Sequence, residues 1–154
     1  MNETTRIAKL FDNLFDGDPW VDVTLMKTLS EISPDKAAFK SGEANSIWEI
    51  ANHIISWRRN VLKRVIGEAI ATPEHNYFLP VEDTSARAWQ NTLKELSDSQ
   101  SEWTSFLNNM NDSDLQSIHP INKITHYEHI HGIIQHDAYH LGQIVLLAKH
   151  FVNF

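Results

Sequence analysis

The chain has 154 residues, a length that suits one domain with a sizeable core. Twenty acidic against 13 basic residues leave a net charge of −7, which argues against a nucleic-acid partner, because phosphate binding needs clustered Lys and Arg. There is no cysteine, so disulfides, thiolate zinc sites and a cysteine nucleophile are excluded, and any thiol chemistry must use a thiol carried by a cofactor or substrate.

Helical periodicity dominates and strand signals are weak. A first helix is expected from about Asn2 to Phe15, broken by Asp16-Gly17-Asp18, with Pro19 starting a continuation to about Glu31. Ser33-Pro34-Asp35-Lys36 then reads as a turn or a short capped helix. The second long helix spans Ser46 to Gly67: Ser46 and Glu49 make a capping-box pattern, and Gly67 suits the end. Its basic cluster, Arg58-Arg59 with Lys63-Arg64, reads as a solvated face or as salt-bridge partners. Residues 68 to 83 hold two prolines and no helical period, and so form a loop. A third helix runs from about Thr84 to Met110, ended by Asn111-Asp112-Ser113-Asp114. The fourth starts near Thr125 and reaches almost to the C-terminus.

Four long helices and almost no strand predict an all-α four-helix bundle, read as a single domain over residues 1 to 154. The long loop between the second and third helices lets the chain cross over, so simple up-down topology is not required. No apolar run approaches the roughly 18 to 20 residues of a membrane span, and the N-terminus shows no basic-then-apolar signal pattern. A cytoplasmic protein with no membrane partner is the expectation.

Three of the nine histidines fall within HGIIQHDAYH, residues 131 to 140. On a wheel of about 100° per residue, Ile130, Ile134, Leu141, Ile144, Val145 and Ala148 form the apolar stripe of the fourth helix. His129, His136, His140, Gln143 and Leu147 lie along its edge. In the second helix Ile47, Ile50, Ala51, Ile54, Val61 and Val65 form the stripe, with His53 at the margin beside Trp57 and in line with Glu49. Side chains four apart on a helix stand about 6 Å from each other, so His136 and His140 can converge on one ion, and His53 can supply a third imidazole. Three protein ligands leave a coordination position open, as in catalytic rather than structural zinc sites. Imidazole alone suits Zn, Ni, Fe or Cu. Spacing alone leaves a buried polar network serving packing as an equal alternative. Asp137 points toward the apolar stripe and needs a partner, expected to be an imidazole or tryptophan N–H.

These residues resemble the DinB-like (YfiT-like) superfamily of metal-binding four-helix proteins. DGDPWVDVTLMKTL at 16 to 29 looks like its broken first helix, SIWEIANHIISWRRNVLKRVIG at 46 to 67 like its second, and HGIIQHDAYHLGQIVLLAK at 131 to 149 like its last. The resemblance covers nearly the whole chain and implies that His53, His136 and His140 are the metal triad. It also implies an up-down-down-up bundle, a homodimer, and Zn or Ni as the metal. Relatives described as hydrolases or as transferases using a small thiol make either activity an expectation here, on a small-molecule substrate.

The leading expectation is therefore a metal-dependent enzyme, a hydrolase or a small-thiol-dependent S-transferase, with Glu49, Asp137, Tyr139 and Gln143 supporting the ligands or positioning substrate. A non-catalytic metal-binding or ligand-sensing bundle is the alternative. Tyr77, Phe78, Leu79 and Pro80 are placed either as a cover over the cleft mouth or as an ordinary surface loop.

Overall fold

Five of the six α-helices begin where a side chain can cap them. The computed structural model describes residues 1–150, which form α1 (Glu3–Asp16), α2 (Leu25–Ser30), α3 (Pro34–Ala38), α4 (Ile47–Val65), α5 (Ala86–Asn109) and α6 (His126–His150), with a short 3₁₀ helix at Asp112–Gln116. Asn2, Ser33, Ser46 and Ser85 accept hydrogen bonds from first-turn backbone N–H groups of α1, α3, α4 and α5. The box at Ser46 and Glu49 is reciprocal, and Thr125 and Glu128 build a second one at the start of α6. The expectation that the fourth helix runs almost to the C-terminus holds as far as His150; residues 151–154 lie outside the described residues.

One predicted element is much shorter than expected. The continuation from Pro19 to Glu31 is helical only over Leu25–Ser30. Pro19 lies instead in a turn closed by the Asp22 N–H on its carbonyl, and Asp22 has a positive φ of 57°, a break no helix absorbs. Gly17 ends α1, and a Cβ there would lie 2.9 Å from the Asn13 Cα, so close approach of backbone demands glycine. Residues 111–114 end the third long helix as expected, but they also do more. The Asp112 carboxylate accepts from the N–H groups of Glu3 and Thr4, capping α1 from across the molecule.

Paired residues fix the direction of each long helix. Thr4, Phe11 and Asp12 of α1 meet Met110, which caps the end of α5, and Trp103 and Gln100 within it, an antiparallel pairing. Trp48 and Arg58 of α4 meet Thr92 and Ser99 of α5, so these two run parallel. His53 and Arg58 of α4 meet His140 and Asp137 of α6, again antiparallel. The bundle is therefore up-down-down-up, and residues 66–85 must carry the chain back along α4 before α5 begins.

The core divides into two apolar clusters. One gathers Leu25, Ile47, Trp48, Ile54, Trp89, Leu96 and Ile144; the other gathers Ile7, Phe11, Val61, Trp103, Leu107 and Ile130. By register along every long helix, a polar layer lies between them. Arg58 Nε donates to Asp137 Oδ2 at 2.7 Å, its other nitrogens donate to Ser99 and Gln100, and Gln100 passes a bond on to Asp12. Arg58 is fully buried, which rules out the solvated-face alternative for it and leaves the salt-bridge one, met by Asp137. Its neighbour Arg59 does behave as expected, reaching Glu95 and Glu102 on the surface.

Candidate metal centre

His53 from α4 and His136 and His140 from α6 come together beside this polar layer. Each offers a ring nitrogen within 4.8 Å of the other two. The His53 and His136 Nε2 atoms are 3.0 Å apart, and the ring of His140 lies edge-on to both. His53 and His140 are buried, whereas the His136 side chain keeps 23% of its exposure. The group forms the floor of an open cleft of about 740 Å³ walled by Trp57, Phe78, Tyr139 and Leu147.

The rings are held in the state a metal requires. His53 Nδ1 lies 2.7 Å from the Asn76 carbonyl, which can only accept, so Nδ1 carries the proton and Nε2 faces the group with its lone pair. His140 Nδ1 donates likewise to Gln143 Oε1 at 2.7 Å, and Gln143 Nε2 in turn donates to the Tyr139 hydroxyl. Burial, with the neighbouring His136 and His140, pushes the His53 pKa down to about 4, and burial also lowers that of His140. Both are thus neutral near pH 7, as metal ligation requires.

The third ring supplies a test of fit. His136 Nδ1 and Asp137 Oδ1 are both buried without a hydrogen-bond partner, and they lie 3.6 Å apart. With no ion, the 3.0 Å contact between two Nε2 atoms needs a proton on His136 Nε2, because His53 Nε2 has none. An ion on those lone pairs would move that proton to Nδ1, where it faces the orphaned carboxylate oxygen. The donor set fits a metal, and two otherwise costly orphans then acquire a use.

The expected supporting residues divide. Gln143 orients His140, and Tyr139 stands at the mouth, 65% exposed. Asp137 takes Arg58 rather than an imidazole or tryptophan as its main partner, because Arg58 occupies the facing interior position of α4. Glu49 does not line the cleft. Its oxygens serve the Ser46 N–H and Lys40, and although burial pushes its pKa up, these partners hold it below the usual value. His129 stays outside the triad; it accepts from Asn122 and packs edge-on against His119.

The Asn76 anchor was missed, and of the two readings of the Tyr77–Pro80 segment the cover over the cleft holds. The Asn76 backbone carbonyl fixes His53, and the Phe78 ring stacks on His53 at 3.9 Å between centroids, which places the Tyr77–Pro80 segment over the cleft. Asn76 and Tyr77 both have positive φ, at 48° and 61°. An aromatic pair in a proline-bounded loop was the available signal, but an irregular backbone has no period from which to read it.

An all-helical bundle that gathers three histidines in an open cleft fits a metal-binding protein. A family model for the DinB superfamily matches residues 22–144, a span that includes all three histidines, and the chain belongs to that superfamily. Comparison with curated proteins and with solved structures gave no match. No helix among the described residues is long and apolar enough to cross a membrane.

Proposed function

We propose that the chain is a metal-dependent enzyme acting on a small molecule, with Zn or Ni held by His53, His136 and His140. The observation that carries this reading is the convergence of three ring nitrogens on the floor of an open cleft, with the far nitrogens of His53 and His140 already engaged as donors. A bound ion supplies Lewis acidity and an open coordination position suited to water or to an external thiol.

Transfer of an external thiol is better supported than hydrolysis. Glu49 and Asp137, the carboxylates nearest the triad in helical register, are committed to Lys40 with Ser46 and to Arg58, which leaves Glu43, an exposed loop residue lining the cleft, as the carboxylate that could serve water. A thiol, with a reference pKa of about 8.5, needs far less help than water to reach its nucleophilic form. The chain has no cysteine, so the thiol comes from a cosubstrate. Trp57, Phe78 and Leu147 give the substrate an apolar wall, while Tyr139 and Gln143 present polar atoms at its mouth.

Elemental analysis of protein purified without an affinity tag, wild type beside His136→Ala, tests the centre. The expected result is about one equivalent of Zn or Ni in the wild type and none in the variant. Thiol consumption against a panel of small electrophiles, alongside ester and amide hydrolysis, then tests the reaction. No metal after reconstitution would overturn the centre. Metal without turnover in either assay would leave a non-catalytic metal-binding protein.

A further inference from the structure

A second cavity of about 250 Å³ begins where the histidine cleft ends, and Trp57 and His136 line both. It follows from helix register. His53, Trp57, Val61 and Arg64 lie on one face of α4 at spacings of four, four and three. On the antiparallel α6, His140, His136, Gly132 and His129 descend at spacings of four, four and three. The two faces form one groove, and from His53 to Arg64 it extends roughly 16 Å along the helix axis.

The far end of this groove carries an uncompensated cation. Arg64 stacks over Trp57 with its guanidinium carbon 5.4 Å from the ring centroid, and one terminal nitrogen donates to Thr72. Its Nε is buried without a hydrogen-bond partner, and among the described residues no carboxylate lies within ion-pair distance. Glu128 also lines the cavity, but both partners of its Oε2 belong to the Thr125 cap. Arg58 and Arg59 are paired, and in a chain of net charge −7 acidic partners are plentiful. Apolar walls, from Trp57, Val61 and Ile133, complete the cavity. Gly132 stands on its open side, where a Cβ would meet nothing within 4 Å.

We infer that this groove is a substrate-binding arm that takes an apolar or aromatic chain ending in a carboxylate, with the carboxylate on Arg64 and the reactive end at the histidine triad. A guanidinium with no carboxylate partner matches a carboxylate in charge and geometry through its terminal nitrogens, the buried Nε being out of a ligand's reach, and the flat face of Trp57 suits an aromatic or extended aliphatic linker. The assignment of the reactive end rests on the proposed metal centre, whereas the arm itself is testable without metal.

The test uses the full-length protein, as purified and after EDTA treatment, with ω-phenylalkanoates from phenylacetate to 6-phenylhexanoate as probes beside their neutral amides. Binding is read by amide chemical-shift changes and titration, and zinc uptake is measured separately. At least one carboxylate is expected to shift the Gly132 and Ile133 amides of the EDTA-treated protein, its amide binding about tenfold more weakly. Arg64→Gln should remove that preference for the carboxylate. Gly132→Leu should abolish binding by filling the groove, at an exposed helical position where leucine is the better helix former. Both variants should still take up zinc. Equal binding of carboxylates and amides, insensitivity to Arg64→Gln, shifts that bypass Gly132, or no binding across the series would each overturn the arm. Zinc uptake without carboxylate binding would remove the arm and leave the metal centre. Carboxylate binding at Gly132 without zinc uptake would remove the metal centre and leave the arm.

Discussion

Arg58 and Asp137 each have a side chain only 1% exposed, and their 2.7 Å ion pair joins α4 to α6 directly behind the histidines. A buried pair need not stabilise the fold relative to apolar residues of the same volume, but breaking it leaves an unpaired charge in the core. Arg58→Met should therefore cost about 3–5 kcal/mol in urea denaturation, and the double change Arg58→Met with Asp137→Leu should recover most of that loss. A single change costing under about 1 kcal/mol would mean that water or another partner reaches Asp137. Gln143 works on a smaller stage, fixing one proton on His140. Gln143→Leu should weaken zinc binding by about 10–100-fold in competition with a chromophoric chelator. The same variant should melt close to wild type in EDTA, since Gln143 is only half-buried. Unchanged affinity would show that His140 needs no orienting partner.

Within elements, the sequence pattern exposes more than the wheel was asked to show. In α4 the interior positions run Ala51, Ile54, Arg58, Val61, Val65, and in α6 they run Ile130, Asp137, Ile144, so each of these runs carries a charge, of opposite sign. Pairing those two charges was possible from register alone; reading Arg58 within a basic run hid it. The helix start at Ser46 was legible because capping is local chemistry, and the starts expected near Thr84 and Thr125 fall at or next to the caps Ser85 and Thr125. The stretch from Pro19 to Thr24 was not, since a proline at a helix start and a proline in a turn look alike until the next residues show their φ angles. The first half of α6 also sets a pH response. Burial lowers the pKa of His126, His129 and His131 below 6.5, with Arg64 and His119 adding to the effect at His129. The unfolded chain therefore binds more protons than the fold once pH drops toward and below 6.5, and stability present above that pH is lost as it falls. In EDTA, where His53 and His140 act in the same direction, the melting temperature should fall between pH 7.5 and pH 5.5. His129→Gln should lose less over that interval than wild type, and an equal or larger loss would remove His129 from the account.

For the molecule as a whole, helix number and the approach of His136 to His140 on α6 were readable because both depend on regular spacing. The direction of each helix was not readable from periodicity, which is the same read up or down; the up-down-down-up order came from the family resemblance alone, and pairings such as Trp48 with Thr92 and Asp12 with Gln100 agree with it. That direction has a consequence for how the site could change. Two parallel neighbours, α4 and α5, oblige the connecting chain to travel the length of a 19-residue helix, roughly 29 Å, before the next helix starts. Residues 66–85 could extend to about twice that distance, so the connection has contour to spare. It spends this slack draped over the histidines, and its hydrogen bond to His53 comes from a main-chain carbonyl, with Phe78 the one side chain stacked on that ring. Most side chains of this roof can therefore be exchanged without touching the ligand's anchor. The helices keep the histidine floor constant, while most of an obligatory return path can be rewritten to admit a different molecule.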